Sequence, residues 1–342
     1  MLNRIRDFYP GYFSLVMATG ILSIACHFLN MRFPAWLLFY ANIVFYIVVW
    51  TITLIRIFRF PARVWSDLIS HAKGPAFFTA VAGTCVLGSP FVILQHSILI
   101  PFALWIFGSM VWVILIYTFL TAVTVAEPKP EFENSLSGAW LILVVATQSI
   151  SVLGSLLAPN SGDVDLTLFF ALCMYLLGCM LYIPIISMIF YRWTFFRMTA
   201  IQLTPPYWIN MGALAITTLA GSRLILNTSN DLLLQQLSPF LKGFTFFFWA
   251  TGTWWIPLLI ILGAWRHVYK KIPLNYDPQF WGIVFPLGMY TTATFVLGVS
   301  MQVEPLKAIA RGFIYIALLA WVVTFFGMTK SIVSVFRRPS TV

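Results

Sequence analysis

Charge is what this sequence has least of. Lys, Arg, Asp and Glu together make up 9% of 342 residues, and only 10 residues are acidic. A water-soluble domain is about a quarter charged, so this chain cannot cover even one domain of its length with a hydrated surface. With 61% of the residues hydrophobic, the solvent around it has to be lipid. Cysteine and histidine are scarce as well, four of each. Cys26, Cys85, Cys173 and Cys179 lie inside apolar runs without metal-ligand spacing, which leaves them as packing residues and argues against a zinc site.

What remains is a series of long apolar runs. A bilayer core takes roughly 20 apolar residues per helix, and the polar interruptions divide the chain into ten spans: 10–28, 35–55, 75–95, 98–125, 136–158, 166–191, 206–226, 239–265, 279–300 and 306–329. The first follows Arg4 and Arg6 and has no small-residue cleavage site after it, so it reads as a retained helix rather than a signal peptide. One transmembrane domain over 1–342 is expected, with short tails at about 1–9 and 330–342. An even number of spans puts both tails on one side. Lys and Arg collect in cytoplasmic loops. Fifteen of the 20 basic residues fall on the tail side, among them Arg56, Arg59, Arg63, Lys73, Arg192, Arg197, Arg266, Lys270, Lys271, Lys330, Arg337 and Arg338. Both termini are therefore expected in the cytoplasm. The net charge of +10 reflects this topological bias and does not call for a nucleic-acid partner.

The spans repeat in pairs. Odd spans open on aromatic residues, and aligning Phe13, Phe77, Trp140, Trp208 and Trp281 gives intervals of 64, 63, 68 and 73 residues. Odd spans carry small and polar residues in their middles, such as Thr19, Gly20, Gly83, Thr84, Thr147, Gln148, Gly212, Thr217, Gly288 and Thr291, whereas even spans are bulky, as in Phe244, Phe246, Phe247, Phe248 and Trp249. Small and polar residues suit helices that meet helices or water; Phe, Leu and Trp suit those that meet lipid. The pattern predicts an all-α membrane protein of five helical hairpins, five inner helices around a central pore and five outer ones. Tight helix packing without a pore is the competing reading, and recurrence in all five odd spans weighs against it.

Three segments give the chain a family likeness: Tyr12 to Gly20 (YFSLVMATG) after Pro10, Pro206 to Ser222 (PYWINMGALAITTLAGS) and Phe280 to Leu287 (FWGIVFPL). In this order, in a chain of ten spans, they resemble the tellurite-resistance and C4-dicarboxylate transporters, which include the plant guard-cell slow anion channels. The resemblance implies a homotrimer of independent pores, each ringed by five kinked inner helices and blocked by a phenylalanine on the ninth. That position matches Phe285, and Pro286, which cannot donate its amide, accounts for a kink there. The same offset in the other repeats marks Met17, Val81, Val144 and Gly212 as pore-lining.

The charge pattern fits anions. No Asp or Glu falls in the middle of a span, and Arg223 follows Ala220-Gly221-Ser222 near the outer end of the seventh. A cation at membrane depth costs on the order of 3 kcal/mol, so Arg223 implies either an anion-attracting vestibule or a partner, with snorkelling or pairing to Asp231 as the alternative. Lys242 and Arg311 have weaker claims, Glu304 being available as a partner. Proton-coupled carriers relay protons through buried Asp, Glu or His, and none is placed to do so; an uncharged pore favours gated, passive flow. Expected substrates are small anions such as chloride, nitrate, sulfite or malate, in the inner or plasma membrane, with no cofactor and no enzymatic activity. A proton-coupled malate carrier or a sulfite exporter is the alternative. His27 and His96, both near the outer face, keep a membrane haem protein or enzyme as a distant one.

Overall fold

The computed structural model describes residues 5–337; Arg4 and Arg338, counted above for topology, lie outside them. Ten long helices carry the fold: α1 (Phe13–Phe28), α2 (Arg32–Arg59), α3 (Thr79–Gln95), α4 (Leu99–Val125), α5 (Ile142–Leu157), α6 (Val164–Phe195), α7 (Ile209–Leu226), α8 (Leu232–Ala264), α9 (Trp281–Ser300) and α10 (Glu304–Arg337). All ten are long and apolar enough, with their flanking turns, to cross a membrane. No strand occurs among the described residues.

The two sets of helices differ in length and burial. Odd helices have 16–20 residues and even ones 27–34. In the odd set 83–94% of the central window is buried, in the even set 17–44%. The contacts explain the contrast: α1 packs on α3, α3 on α5, α5 on α7, α7 on α9 and α9 back on α1, while each odd helix also packs on the even helix that follows it. At 1.5 Å per residue the even helices run about 40–50 Å, longer than a core of about 30 Å, and Phe58, Tyr117, Phe247 and Phe326 on them are exposed. Cys26, Cys85 and Cys179 are buried; Cys173, expected to pack, is exposed on the outer face of α6 instead.

A short 3-10 turn precedes every odd helix: Pro10–Tyr12, Gly74–Phe78, Gly138–Leu141, Pro205–Trp208 and Pro278–Phe280. These five turns contact one another in the same closed order as the helices. Glycine is required where they meet: a Cβ on Gly138 would stand 2.6 Å from Tyr207 Cα. At the opposite, far face, three-residue links join α1 to α2, α3 to α4 and α9 to α10. Each contains one residue in the left-handed region, Asn30, His96 and Gln302 (φ 61°, 53° and 58°). His96 thus sits at a tight turn.

Inner and outer helices are also pinned at mid-height by side-chain hydrogen bonds. Trp321 Nε1 of α10 donates to Thr19 Oγ1 (3.0 Å), Trp112 Nε1 of α4 donates to Thr147 Oγ1 (2.9 Å), and the Tyr46 hydroxyl of α2 meets Thr84 Oγ1 (3.0 Å). In each case the outer helix preceding the inner one in the ring supplies the aromatic. Buried hydroxyls need such partners because no water competes for them in the membrane.

Candidate functional site

Two small cavities lie on the axis, and each is lined by residues of all five odd helices. The near cavity, beside the 3-10 turns, is bordered by Ser14 and Met17 of α1, Thr79 of α3, Ile142 and Val145 of α5, Ile209 of α7, and Gly282 and Phe285 of α9. The far cavity is bordered by Ile21 and Ile24, Val86 and Ser89, Ser149 and Val152, Ile216, Leu219 and Arg223, and Met289 and Thr292. The space open to water is about 20 Å³ in the near cavity and about 10 Å³ in the far one. A single water needs about 10–15 Å³ of such space, so the axis is closed in this conformation.

What separates the cavities is about one helical turn. Met17 borders one and Ile21 the other, and Val145 and Ser149, then Phe285 and Met289, repeat the step. Four residues correspond to about 6 Å along a helix. Phe285, 1% exposed, is the largest side chain facing the near cavity at that level, with Met17 beside it.

The axis-facing residues give the repeat register directly. Ser14, Thr79, Ile142, Ile209 and Gly282 are equivalent, as are Ile21, Val86, Ser149, Ile216 and Met289. Met17 and Phe285 belong to this register. Val81 and Val144 do not: both are buried, but they border neither cavity, and the axial neighbour of Val144 is Val145. A one-residue step turns a helix position by about 100°. Val81 lies on the side of α3 that faces Gly108 of α4, and Val144 is one turn from Thr147, which accepts from Trp112 of α4. Gly212 is in register, but its open side meets α9, where a Cβ would stand 2.7 Å from Pro286 Cγ. Its place is that of a helix contact behind Phe285.

The sequence reading did not single out the hydroxyls bordering the far cavity, those of Ser89, Ser149 and Thr292. Ser149 follows Val145 by four residues and Thr292 follows Phe285 by seven, about one and two turns, so the correct register would have exposed these two; Ser89, ten residues after Thr79, is about 80° round its helix from that residue. Their hydroxyls donate to carbonyls within their own helices, Ser89 to Cys85 O, Ser149 to Ala146 O and Thr292 to Gly288 O.

Electrostatically the axis is simple. Among the described residues neither cavity is bordered by Asp or Glu, and Arg223 is the charged residue bordering the far one. Its guanidinium carbon lies 5.4 Å from the Phe28 ring centroid, and Phe28 stacks in turn on Phe295 at 5.6 Å. Arg223 Nε is buried without a partner, and among the described residues no carboxylate comes within 4 Å of the guanidinium. Asp231 is committed elsewhere, accepting from Leu234 N at 2.7 Å to cap α8. A cation–π contact uses the guanidinium face and leaves its N–H edge for an anion. Lys242 and Arg311 are exposed on the outer helices, and Glu304 pairs with Lys307 at 2.5 Å. His27 contacts Phe28 at the same end, 6.0 Å between ring centroids.

These features define a polytopic membrane protein whose inner helices enclose a narrow, carboxylate-free axis with an arginine at one end. The chain belongs to the voltage-dependent anion channel family, whose model matches residues 7–329. An uncharacterized transporter of Methanocaldococcus jannaschii is 25% identical over 95% of this chain and 94% of its own length. An uncharacterized membrane protein of Mycobacterium tuberculosis is 34% identical over 46% of this chain and 80% of its own length. A sulfite efflux pump of the fungus Arthroderma benhamiae is 23% identical over 94% of this chain and 90% of its own length. The chain is thus a membrane protein of the anion channel and transporter class.

Proposed function

We propose that small inorganic or organic anions cross the membrane along the axis of the five inner helices, and that Phe285 is the gate. The observation that carries this reading is the pair of axial cavities, bordered by the same five helices and parted by one turn at the level of Phe285. An apolar constriction of that thickness holds back ions by excluding water. Withdrawing one benzyl group would join the cavities. Pro286 removes the backbone donor that would tie the α9 ladder at that point, so α9 bends there more easily than an unbroken helix.

In this reading Arg223 raises the local concentration of anions at the far mouth, and the uncharged wall, with Met17 and Val145 beside Phe285, binds them too weakly to hold them. The basic tail side faces the cytoplasm, the membrane is the cell's inner or plasma membrane, and the family resemblance implies a homotrimer in which each protomer conducts alone. Flow is passive and gated, since the axis offers no carboxylate to carry a proton.

Likeness to a sulfite efflux pump supports sulfite as a candidate beside chloride, nitrate and malate, and suggests a second reading, proton-coupled export. The deciding experiment is flux into vesicles containing the purified protein, with each of these anions, with and without a proton gradient. Passive conduction predicts the same rate at matched voltage whether or not the gradient is present. Uptake that requires the gradient would establish coupled transport instead.

A further inference from the structure

Away from the axis, a cavity of about 180 Å³ opens where α8 ends and the turns before α7 and α9 begin. With about 10–15 Å³ needed for a single water, it has room for roughly a dozen. Its wall is divided. Leu259, Leu262, Leu274 and Ile283 form an apolar side, and Arg266 and His267 a polar one. The ligand that fits must therefore be part oily and part anionic.

The local backbone is built around Arg266. Residues Trp265–Tyr269 form a π-helical turn at the end of α8, and such turns recur at functional sites. Arg266 Nη1 donates to Leu203 O, while Nε has no partner and among the described residues no carboxylate lies within 4 Å. Asp277, the carboxylate that bears on Arg266 electrostatically, is occupied in capping the turn before α9 through Gln279 N at 2.8 Å. His267 Nδ1 donates to Ile272 O at 2.8 Å and so fixes one wall. Lys270 and Lys271 follow at once and are exposed, so with Arg266 three cations face the single carboxylate of Asp277 and the site is net positive.

The depth of the site points to the bilayer surface. The 33 residues of α8 span about 50 Å, so its end emerges from a core of about 30 Å. Trp208 on the cavity wall, with Trp265 and Tyr269 beside Arg266, is the aromatic set that favours the headgroup zone.

We infer that this cavity is a binding site for the phosphodiester headgroup of an anionic phospholipid, held by Arg266 with Lys270 and Lys271 at its rim and with the lipid's apolar part along Leu259, Leu262 and Ile283. Basic pockets between transmembrane helices at a membrane surface bind such headgroups. The site is independent of which anion crosses, but Ile283 lies two residues before Phe285, so an occupant bears on the helix that carries the gate.

The test is lipid retention on the purified full chain, read by native mass spectrometry during titration with phosphatidylglycerol, phosphatidylcholine or inorganic phosphate. Retention is read whether or not the protein conducts, so its outcome is separate from that of the gating proposal. Phosphatidylglycerol should be retained in preference to phosphatidylcholine, millimolar inorganic phosphate should not displace it, and R266Q should weaken retention about fivefold, the effect of roughly one surface cation. Because R266Q also loses the Leu203 contact, Gly263→Leu serves as the second variant: Gly263 borders the cavity and a Cβ there meets no atom within 4 Å, so the added side chain has room to take up cavity space while the Arg266 charge and its Leu203 contact are kept. It should reduce retention at least as much while melting like the parent. Equal retention of the two lipids, or wild-type retention in Gly263→Leu, would overturn the inference. Displacement by inorganic phosphate would instead make this a free-anion site and overturn the lipid assignment.

Discussion

Gly212 of α7 lies against the ring of Pro286 on α9, so close that a methyl group in its place would stand 2.7 Å from Pro286 Cγ and 3.0 Å from its Cβ. Neither atom can swing away, since both belong to a ring closed on the backbone. The glycine is what lets these two inner helices approach directly behind Phe285, and close approach through small residues is how helices associate when lipid provides no hydrophobic drive.

Gly212→Ala should therefore destabilise the protein, although alanine is ordinarily the better helix former by about 1 kcal/mol. Overpacking of this kind costs about 1–3 kcal/mol. Thermal unfolding in detergent, read beside Gly243→Ala, checks it: Gly243 has open space around it and should lose nothing. Equal melting of the two variants would contradict the contact.

The Trp321–Thr19 hydrogen bond, 3.0 Å long and joining the last outer helix to the first inner one, closes the ring between chain ends. A double-mutant cycle of Trp321→Phe and Thr19→Val should give a coupling of about 0.6–1.7 kcal/mol, the usual size within membranes. Additive effects would mean that the two side chains stabilise the ring separately.

Asp67, on the short helix Pro61–Leu68 after α2, joins buried Arg56 (2.5 Å) and Lys73 (3.0 Å). Burial alone would raise its carboxyl, but the hydrogen bonds and charges of Lys73 and Arg56 outweigh that and hold it below the usual carboxylate range. A depressed carboxyl stabilises the fold above its unfolded value of about 4, and that contribution fades as pH falls through the lower folded value. Asp67→Asn leaves Arg56 buried without its counter-charge, at a cost of about 3–5 kcal/mol near neutral pH. Melting curves of the two proteins should converge as pH drops below about 4; a constant gap down to pH 2 would contradict the pairing.

The sequence made the ten helices legible because each is an apolar run between polar breaks. It read four of the five outer ones short, the span 98–125 matching α4. Span 35–55 became Arg32–Arg59, and 306–329 became Glu304–Arg337, since hydropathy registers the lipid-facing stretch while the helix continues through Arg56, Arg59 and Lys330. Thr19, Thr84 and Thr147 correctly marked buried helices, but nothing in the sequence names their aromatic partners on other helices. The register slipped in two repeats for a physical reason. Aligning on Trp140 assumed that it faces as Phe13 does, whereas its indole donates to His71 O and Ser135 O, both 3.0 Å away, in the loops outside the helix. Leu141 and Phe78, each fully buried, hold the positions equivalent to Phe13. The choice between Phe77 and Phe78 has no one-dimensional signal at all.

Arg223→Gln should lower anion flux about three- to tenfold at low salt, with the difference narrowing at high salt as the mouth is screened. Arg223→Lys should recover part of it, keeping charge but not the planar stack on Phe28. Vesicle flux at two salt concentrations provides the measurement. Wild-type flux and selectivity in Arg223→Gln would remove Arg223 from the conduction path.

The most direct measurement is anion current through Phe285→Ala in a planar bilayer, beside wild type and Phe247→Ala, whose ring is exposed on an outer helix. If the Phe285 ring closes the turn between the cavities, its removal raises the anion current about tenfold or more, since an apolar plug that excludes water is lost, and the control stays at the wild-type level. An unchanged current in correctly inserted, folded Phe285→Ala protein would contradict the account.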